Sequence, residues 1–342
     1  MHRNSCLISI ILLFSFSVWG KTDLLVFILS GQSNMAGFAK VSELPANLKN
    51  TQENVIINLD AEGDISKRGR WLNSGPGFGT SSSQFGPELT FGKTLADSLP
   101  GKTIALIKNA VSGTSLASTS GWRPPSSDGA TGTLYTNMMN HIDRAMASLD
   151  TSKYTPLFAG FVWLQGEFDA MNSVDADDYE SNLTNLIKDI RQKTGVEGLP
   201  VIIPMIDAQN IWTHNSKVRA AEIAVTKSLA NVDTLDTKGF QTDGIHYKAD
   251  GQIKIGIIAA KRFLAMKKIP VHAVYRNEKP AFLKSAGNCL FSPFSIDFSG
   301  RKIGRLNTHA AGKQGLLPGV FIRLTNKTDG GWSNEVRVLL GN

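Results

Sequence analysis

The sequence predicts an α/β fold: a three-layer α/β/α sandwich around a parallel sheet of about five strands. Three observations predict it. Short apolar runs alternate with longer amphipathic ones, hydrophobic residues make up 42% of the 342-residue chain, and charged residues make up 19%. Alternating strands and helices are typical of a parallel sheet that is covered on both faces. The composition is that of a soluble globular protein and excludes collagen-like, low-complexity and disordered chains.

Strands are predicted from the short apolar runs and helices from the longer amphipathic ones. The apolar runs cover residues 24–29, 55–59, 103–108, 157–164, 201–205 and, more weakly, 232–235. The amphipathic patterns cover residues 87–98, 134–149, 177–193, 217–229 and 250–267. Because most successive strands are separated by a helix long enough to cross the sheet, we expect neighbouring strands to run parallel.

The first 20 residues resemble a secretory signal peptide. An apolar run over residues 7–18 follows Arg3, and Val18 and Gly20 suit a cleavage site after residue 20. The run is shorter than the roughly 20 residues that a membrane-spanning helix needs, so a retained anchor is the alternative. No later segment has the length and apolarity of a membrane span. We therefore expect a secreted or cell-surface protein that keeps Cys289 alone and forms no intrachain disulfide.

The chain is predicted to divide into a catalytic domain over residues 21–268, a linker over 269–284 and a small β-rich module over 285–342. Residues 21–266 carry 23 Lys and Arg against 25 Asp and Glu, whereas residues 267–342 carry 12 against 4. The larger part therefore has no charge pattern for nucleic acid. We expect the basic module to attach or sort the protein, through secretion machinery or at the cell surface. Docking on acidic polysaccharide and a purely structural appendage are the alternatives.

A candidate nucleophile lies directly after the first predicted strand, in the segment Gly-Gln-Ser-Asn-Met-Ala-Gly that contains Ser33. Ligands of open parallel sheets bind at the carboxyl ends of the strands, so Ser33 falls where a reactive group would be exposed. A helix N-cap is the alternative role for a serine in such a turn. Before the last helix, Asp243 precedes His246 by three residues, close enough for a carboxylate to orient an imidazole. Together these residues predict a Ser33–His246–Asp243 triad.

Two further segments offer donors for an oxyanion. Gly113 follows the third strand and can present a backbone N–H with no side chain in the way. Gln165 follows the fourth strand and can offer a side-chain amide. With the N–H of Ser33, these groups predict an oxyanion hole.

Four segments together resemble the SGNH hydrolase superfamily, and within it the sialate O-acetylesterase-like group that includes carbohydrate esterase family 6. They are Gly-Gln-Ser-Asn-Met-Ala-Gly at 31–37, Phe-Gly-Pro-Glu at 85–88, Trp-Leu-Gln-Gly-Glu at 163–167 and Asp-Gly-Ile-His at 243–246. The resemblance covers roughly residues 24–264. It implies an SGNH, flavodoxin-like fold, a nucleophilic serine with a His–Asp pair, and the three oxyanion donors above. Phe168 departs from the small polar residue that is usual after the Gly-Glu pair, which bears on substrate contacts.

Three other side chains are candidates for substrate contact. Glu167 either holds a substrate hydroxyl or braces its loop. Trp71 and Trp122 fall in glycine-rich segments and either stack on sugar rings or pack in the core. The histidines are scattered without a paired ligand motif, so no metal site and no cofactor are expected.

The sequence thus predicts a secreted serine esterase that deacetylates an O-acetylated polysaccharide, with acetyl xylan as the leading substrate. Deacetylation of sialic acid or another sugar is the first alternative. A non-catalytic carbohydrate-binding protein on the same scaffold and a lipase or thioesterase are two others. The acetylated ring position and the oligomeric state are not determined by the sequence.

Overall fold

The structure, a computed structural model, describes residues 21–207 and 211–266, together with the backbone of four short strands after residue 293. The predicted signal peptide at 1–20 and the predicted linker at 269–284 lie outside the described residues. The chain divides into two compact units, residues 1–277 and 278–342. Among the described residues, no helix is long and apolar enough to cross a membrane.

The first unit contains a seven-stranded sheet with helices on both faces, which confirms the predicted α/β/α architecture. Its strands are β1 (Thr22–Gly31), β3 (Gln52–Ala61), β4 (Trp71–Ser74), β6 (Thr103–Ala110), β7 (Tyr154–Leu164), β8 (Val201–Pro204) and β9 (Val232–Leu235), and a separate two-stranded pair is formed by β2 (Ala39–Lys40) and β5 (Gln84–Phe85). The helices are α1 (Ser33–Ala36), α2 (Glu88–Ser98), α3 (Thr133–Ala147), α4 (Ser173–Thr194), α5 (Asn215–Ser228) and α6 (Ala249–Ala265).

The strand order is β4-β3-β6-β1-β7-β8-β9, and every neighbouring pair is parallel except β3 with β4. All six predicted strands are present. The seventh strand, β4, is a four-residue edge strand that lies where the sequence predicts a loop. Two of its four residues, Asn73 and Ser74, are polar, so it lacks the apolar run by which the other strands are recognised.

The hydrophobic pattern of β1 explains why helices cover both faces. Alternate side chains of a strand point to opposite faces. Val26 and Ile28 belong to the core cluster that includes α3, α4 and α5, whereas Phe27 belongs to the cluster that includes α2 and α6. The Phe27 ring meets the rings of Phe91 and Phe263 edge to face, at centroid distances of 5.3 and 5.4 Å. A strand buried on both faces therefore has a continuous apolar sequence.

The register of the central strands sets the level at which their loops leave the sheet. Gly31 at the end of β1 pairs with Ala110 of β6 and with Leu164 of β7, and Ala61 of β3 pairs with the same Ala110. The four loops after these strands consequently begin side by side at the carboxyl edge.

In the second unit the structure describes two antiparallel pairs. Strand β10 (Phe294–Ile296) pairs with β11 (Lys302–Arg305), and β12 (Val320–Leu324) pairs with β13 (Val336–Leu340). The boundary and role of the predicted C-terminal module remain predictions.

Candidate active site

The turn that carries Ser33 is shaped by close backbone contact. Gly31 has a φ of +149°, and a Cβ added there would lie 2.0 Å from the carbonyl oxygen of Leu164, so glycine is required. The one-turn helix α1 follows at once and contains Ser33, whose hydroxyl and N–H bond to none of the described residues. Ser33 is nearly buried, and its remaining surface lines a cleft of about 320 Å³. Among the described residues, the hydroxyl and the N–H of Ser33 therefore have no hydrogen-bond partner beside this cavity.

A buried ion pair supports this turn from behind. The ammonium of Lys108, on β6, donates to the carbonyl oxygens of Ala36 (2.9 Å) and Phe78 (2.8 Å) and to Oε2 of Glu88 (2.7 Å). The other carboxylate oxygen of Glu88 accepts from the N–H of Gly86 at 2.9 Å. Both charged side chains are essentially inaccessible to water. Burial lowers the pKa of Lys108, and the adjacent Glu88 carboxylate opposes that shift. The pair ties the end of α1 to two other segments.

Asn34 links the nucleophile turn to the loops on its other side. Its Nδ2 donates to Glu167 Oε1 at 2.7 Å and to the Ile245 carbonyl at 3.4 Å, and its Oδ1 accepts from the N–H of Tyr247 at 3.0 Å. Glu167 is buried, and burial raises its pKa despite the hydrogen bond from Asn34. These contacts are those of a brace, as one of the two roles predicted for Glu167 requires. Because Glu167 also lines the cleft, contact with a substrate hydroxyl stays a prediction.

The loop before α6 places His246 in the same cleft as Ser33. Asp243 Oδ1 accepts from the N–H groups of Ile245 (3.0 Å) and His246 (2.8 Å), whereas its Oδ2 lies 4.0 Å from His246 Nδ1. That distance is too long for a hydrogen bond. The ring of Phe38 stacks on the imidazole with centroids 4.0 Å apart and planes 3° from parallel. The imidazole is thus held flat against an aromatic face beside a carboxylate.

The charge state of His246 follows from the same surroundings. Burial lowers the pKa of His246 below its usual 6.5, while the carboxylates of Asp243 and Glu62 act in the opposite direction. Burial alone would raise the pKa of Asp243, but the two backbone N–H bonds to its carboxylate outweigh burial and lower it. At neutral pH the site therefore holds a neutral imidazole next to an ionised carboxylate, the pairing that a general base needs.

Gly113 lines the cleft in a left-handed backbone conformation. Its φ is +64°, which favours glycine, and a Cβ added there would meet no atom within 4 Å. Its N–H has no hydrogen-bond partner within the part of the chain that the structure describes. The structure therefore brings Ser33, Gly113 and His246 to one cavity, as the sequence predicts for a nucleophile, a donor and a base.

The amide of Gln165, predicted to donate to an oxyanion, is engaged by other acceptors in this structure, so its role as an oxyanion donor stays a prediction. Its Nε2 donates to the Thr114 carbonyl at 2.8 Å and to Asp169 Oδ2 at 2.5 Å, so both amide hydrogens are engaged. The side chain is also fully buried. Asp169, whose pKa burial raises to about 6, also accepts from the backbone N–H groups of Leu116 and Ala117. Gln165 and Asp169 therefore hold the loop around Gly113 in place.

The two tryptophans also lie away from the cleft lining. Trp122 is fully buried, packs edge to face on Trp163 at 5.6 Å and donates from Nε1 to Thr114 Oγ1 at 2.8 Å. The sugar-stacking prediction for Trp122 is therefore wrong, and core packing is correct. Trp71 lies on β4, packs against the core and donates from Nε1 to the Ala145 carbonyl at 2.9 Å. Core packing is its role as well.

The rim of the cleft is unusually apolar. Seven large hydrophobic side chains are exposed in the described part of the chain, and four of them line this cleft. They are Phe168, Met171, Ile211 and Ile245, with exposed fractions between 44% and 58%. Exposed apolar residues concentrated in one concave place mark a binding surface. Phe168, which departs from the family pattern, thus lies on the rim of the cleft.

Sequence reasoning missed four residues that shape the site: Asn34, Phe38, Glu62 and Lys108. Lys108 gave a signal, since it is a charged residue inside a strand that is otherwise apolar. Asn34 lies within the nucleophile segment, but its partners are more than 130 residues away in sequence. Phe38 and Glu62 stand in loops whose pairing depends on strand order, and a single sequence does not reveal that order.

Comparison with known proteins agrees with this geometry. A sequence model of the family described as "Carbohydrate esterase, sialic acid-specific acetylesterase" matches residues 23–265. The chain is 26% identical over 258 residues to a probable carbohydrate esterase from Arabidopsis thaliana, and the alignment covers 70% of this chain and 90% of that protein. The family match spans every residue of the cleft lining.

A solved structure shares the fold of this chain. An X-ray structure of a protein from Arabidopsis thaliana aligns with a TM-score of 0.58 at 23% identity, over 72% of this chain and 99% of that chain. A carbohydrate acetylesterase from Xanthomonas citri aligns with a TM-score of 0.49 at 18% identity, over 69% of this chain and 55% of that chain. The first alignment supports the SGNH-like α/β/α fold that the four sequence segments imply.

Proposed function

Because this chain belongs to the sialic acid-specific acetylesterase family of carbohydrate esterases, we propose that it is a serine esterase for O-acetylated polysaccharide, with acetyl xylan as its leading substrate. The observation that carries the proposal is the cleft that Ser33, Gly113 and His246 line together. Among the described residues, the Ser33 hydroxyl and the Gly113 N–H have no hydrogen-bond partner there. We also propose that the protein is secreted, on the evidence of its N-terminal sequence.

In the proposed reaction, Ser33 Oγ attacks the acetyl carbonyl carbon while His246 takes the hydroxyl proton. The N–H groups of Ser33 and Gly113 donate to the oxygen that becomes negative. The bond to the sugar oxygen then breaks, and His246 returns its proton to that oxygen. Water attacks the acetyl-serine, loses a proton to His246 and releases acetate as the proton goes back to Ser33. Asp243 stabilises the imidazolium both when the acetyl-serine forms and when water cleaves it.

The cleft favours a neutral sugar over an acidic one. Its charged lining residues are Glu167 and, when protonated, His246, with Asp243 beside them. A sialic acid carries its own carboxylate, and no Lys or Arg among the described lining residues would pair with it. Xylan units are uncharged, and the apolar face of a pyranose ring suits the exposed side chains of Phe168 and Ile245. This complementarity supports acetyl xylan ahead of the sialate alternative.

Release of acetate from a panel of substrates tests the proposal. Acetylated xylan, acetylated mannan and O-acetylated sialic acid would be compared at equal acetyl concentration, with Ser33→Ala as the matched inactive control. We expect the wild-type protein to release acetate from xylan faster than from sialic acid by at least tenfold. A preference for the sialate would support the alternative substrate, and equal release by wild type and the Ser33→Ala variant would reject the esterase itself.

The apolar rim gives some support to a second candidate, an esterase for longer acyl groups. A series of 4-nitrophenyl esters from acetate to octanoate separates the two, because an acetyl pocket needs little depth. Rates that fall steeply beyond acetate support the deacetylase. Rates that rise with chain length support the second candidate and assign the rim to the acyl group.

A further inference from the structure

Glu62, directly after β3, makes a two-point contact with the loop that carries Gly113. Its Oε1 accepts from the backbone N–H of Ser112 at 2.8 Å, and its Oε2 accepts from the Ser112 hydroxyl at 2.6 Å. Both oxygens of one carboxylate are thus engaged with one residue, and that residue immediately precedes the candidate oxyanion donor. Two hydrogen bonds to an ionised acceptor are stronger and more directional than neutral ones.

The backbone around Glu62 is bent to make this contact. Ala61 has a φ of +73°, and it is one of two non-glycine residues with positive φ among the described residues. Gly63 has a φ of +116°, and a Cβ added there would lie 2.6 Å from Leu59 and 2.9 Å from the Gly79 carbonyl. A side-chain-bearing residue in this conformation persists only where its surroundings impose it, and such residues concentrate at functional sites.

Strand register makes the contact possible. Ala61 of β3 pairs with Ala110 of β6, so the two chains leave the sheet at one level. Glu62 is the next residue on one chain, and Ser112 lies two residues beyond Ala110 on the other. The sharp turn at Ala61 keeps Glu62 beside the neighbouring loop.

We propose that Glu62 is a positioning residue of the active site: it fixes the Ser112–Gly113 turn so that the Gly113 N–H faces the cleft. The inference rests on the proposed function, since it assumes that Gly113 and His246 serve the reaction. Preorganised donors need no rearrangement as charge develops, and a displacement of about 1 Å can cost roughly a hundredfold in rate.

The charge of Glu62 also acts on His246, and the groups around the imidazole allow this effect to be measured separately. Phe38 covers one face of the ring without charge, and Asp243 and Glu62 are the carboxylates that raise the pKa of His246 against the effect of burial. Removal of the Glu62 charge should therefore lower the pKa of His246 further. The acidic limb of the kcat/KM profile, where His246 becomes protonated, should then move to lower pH. A purely structural contact would leave that limb in place.

Three variants separate the hydrogen bonds between Glu62 and Ser112 from the charge of Glu62. Each variant is assayed on 4-nitrophenyl acetate from pH 4 to 8, after thermal unfolding has confirmed that the protein is folded. Glu62→Gln keeps an acceptor oxygen but loses the charge. Glu62→Asp keeps the charge but shortens the reach to Ser112. Ser112→Ala removes the hydroxyl and keeps both the charge and the backbone bond.

We expect Glu62→Gln to lower kcat by about 10–10²-fold and to move the acidic limb to lower pH. Glu62→Asp should lower kcat to a similar degree, and the acidic limb of its kcat/KM profile should stay at the wild-type pH. Ser112→Ala should lose less than about tenfold, also without a shift, because the backbone N–H bond remains.

Wild-type kcat in both Glu62 variants would overturn the proposal. So would a lowered kcat with an acidic limb that moves equally in Glu62→Gln and Glu62→Asp, since the shift could not then come from charge. Ser33→Ala, run in the same assay, keeps the two proposals apart. Full activity in Ser33→Ala rejects the proposed function, whereas an inactive Ser33→Ala beside fully active Glu62→Gln and Glu62→Asp rejects only the role of Glu62.

Discussion

The two loops that carry the proposed triad are held in opposite ways. The turn at Ser33 is buried, and Lys108 and Asn34 tie it to the segments around it. The loop with Asp243 and His246 lies at the surface, where the carboxylate side chain is 56% exposed. Its internal bonds run from the Asp243 N–H to the His246 carbonyl and from two backbone N–H groups to the Asp243 carboxylate.

We call the Ser33 turn the buried half of the site and the loop with Asp243 and His246 the exposed half. The buried half is fixed, and the exposed half can adjust. Buried charges that are fully hydrogen-bonded have few alternative arrangements, so the nucleophile turn is rigid. The exposed Asp243 carboxylate can move without loss of buried contacts, whereas Asn34 holds the neighbouring Ile245 and Tyr247. No hydrogen bond joins Ser33 to His246 in the described structure, and His246 Nδ1 is 4.0 Å from Asp243. Catalytic hydrogen bonds are often long before substrate binds, and the exposed half is the one that can close them.

The largest expected effect tests whether both halves act in one reaction. Ser33→Ala and His246→Ala should each lower kcat on 4-nitrophenyl acetate by roughly 10³-fold or more, because members of a triad act as a unit. Steady-state kinetics on folded protein measures this. The double variant should lose little beyond either single one. Losses that multiply would show that the two halves act independently, which contradicts a common triad.

The next effect tests the rigidity of the buried half. Lys108→Met should destabilise the fold by about 3–5 kcal/mol, because Glu88 would remain buried without its partner. Urea unfolding followed by circular dichroism measures the change. Lys93→Met is the matched control, since Lys93 forms a surface ion pair with Asp97 at 3.0 Å. That variant should change stability by no more than about 1 kcal/mol.

Equal losses in the two lysine variants would contradict the idea of a buried electrostatic anchor. A Lys108→Met/Glu88→Leu double variant refines the test. If the penalty comes from an unpaired charge, removal of both charges should recover part of the stability lost in Lys108→Met.

The strands and helices were predictable from the sequence where the pattern of hydrophobic residues follows the burial of their side chains. Strands buried on both faces have apolar sequences, so six of the seven were found. Helix α4 begins at Ser173, whereas its pattern predicts a start at Asp177. Asn172 caps the helix by accepting from the N–H groups of Val174 and Asp175, and the polar first turn has no hydrophobic periodicity.

The site was predictable where a loop follows a recognisable strand, and less so where a side chain chooses between partners. Ser33, Gly113 and His246 reach one cleft because their loops leave the sheet at its carboxyl edge. The amide of Gln165 turns instead toward the carbonyl of Thr114, a residue 51 positions away in sequence. Trp122, in the loop between β6 and α3, is buried against Trp163 of β7. Such choices depend on three-dimensional neighbours that local patterns do not encode.

The smallest effect in the series sharpens the description of the exposed half. Asp243→Asn keeps an oxygen for the N–H groups of Ile245 and His246 but removes the charge near the imidazole. We expect kcat to fall by about 10–10²-fold, less than the roughly 10⁴-fold loss known for a buried triad aspartate, because solvent screens this carboxylate. The acidic limb of kcat/KM should move to lower pH, since Asp243 raises the pKa of His246.

A wild-type control over 0.05–1 M NaCl should show the same trend in weaker form, because salt screens the same interaction. A 10⁴-fold loss that salt does not change would mean that Asp243 and His246 close to a dry hydrogen bond during turnover, so that the exposed half becomes as fixed as the buried one.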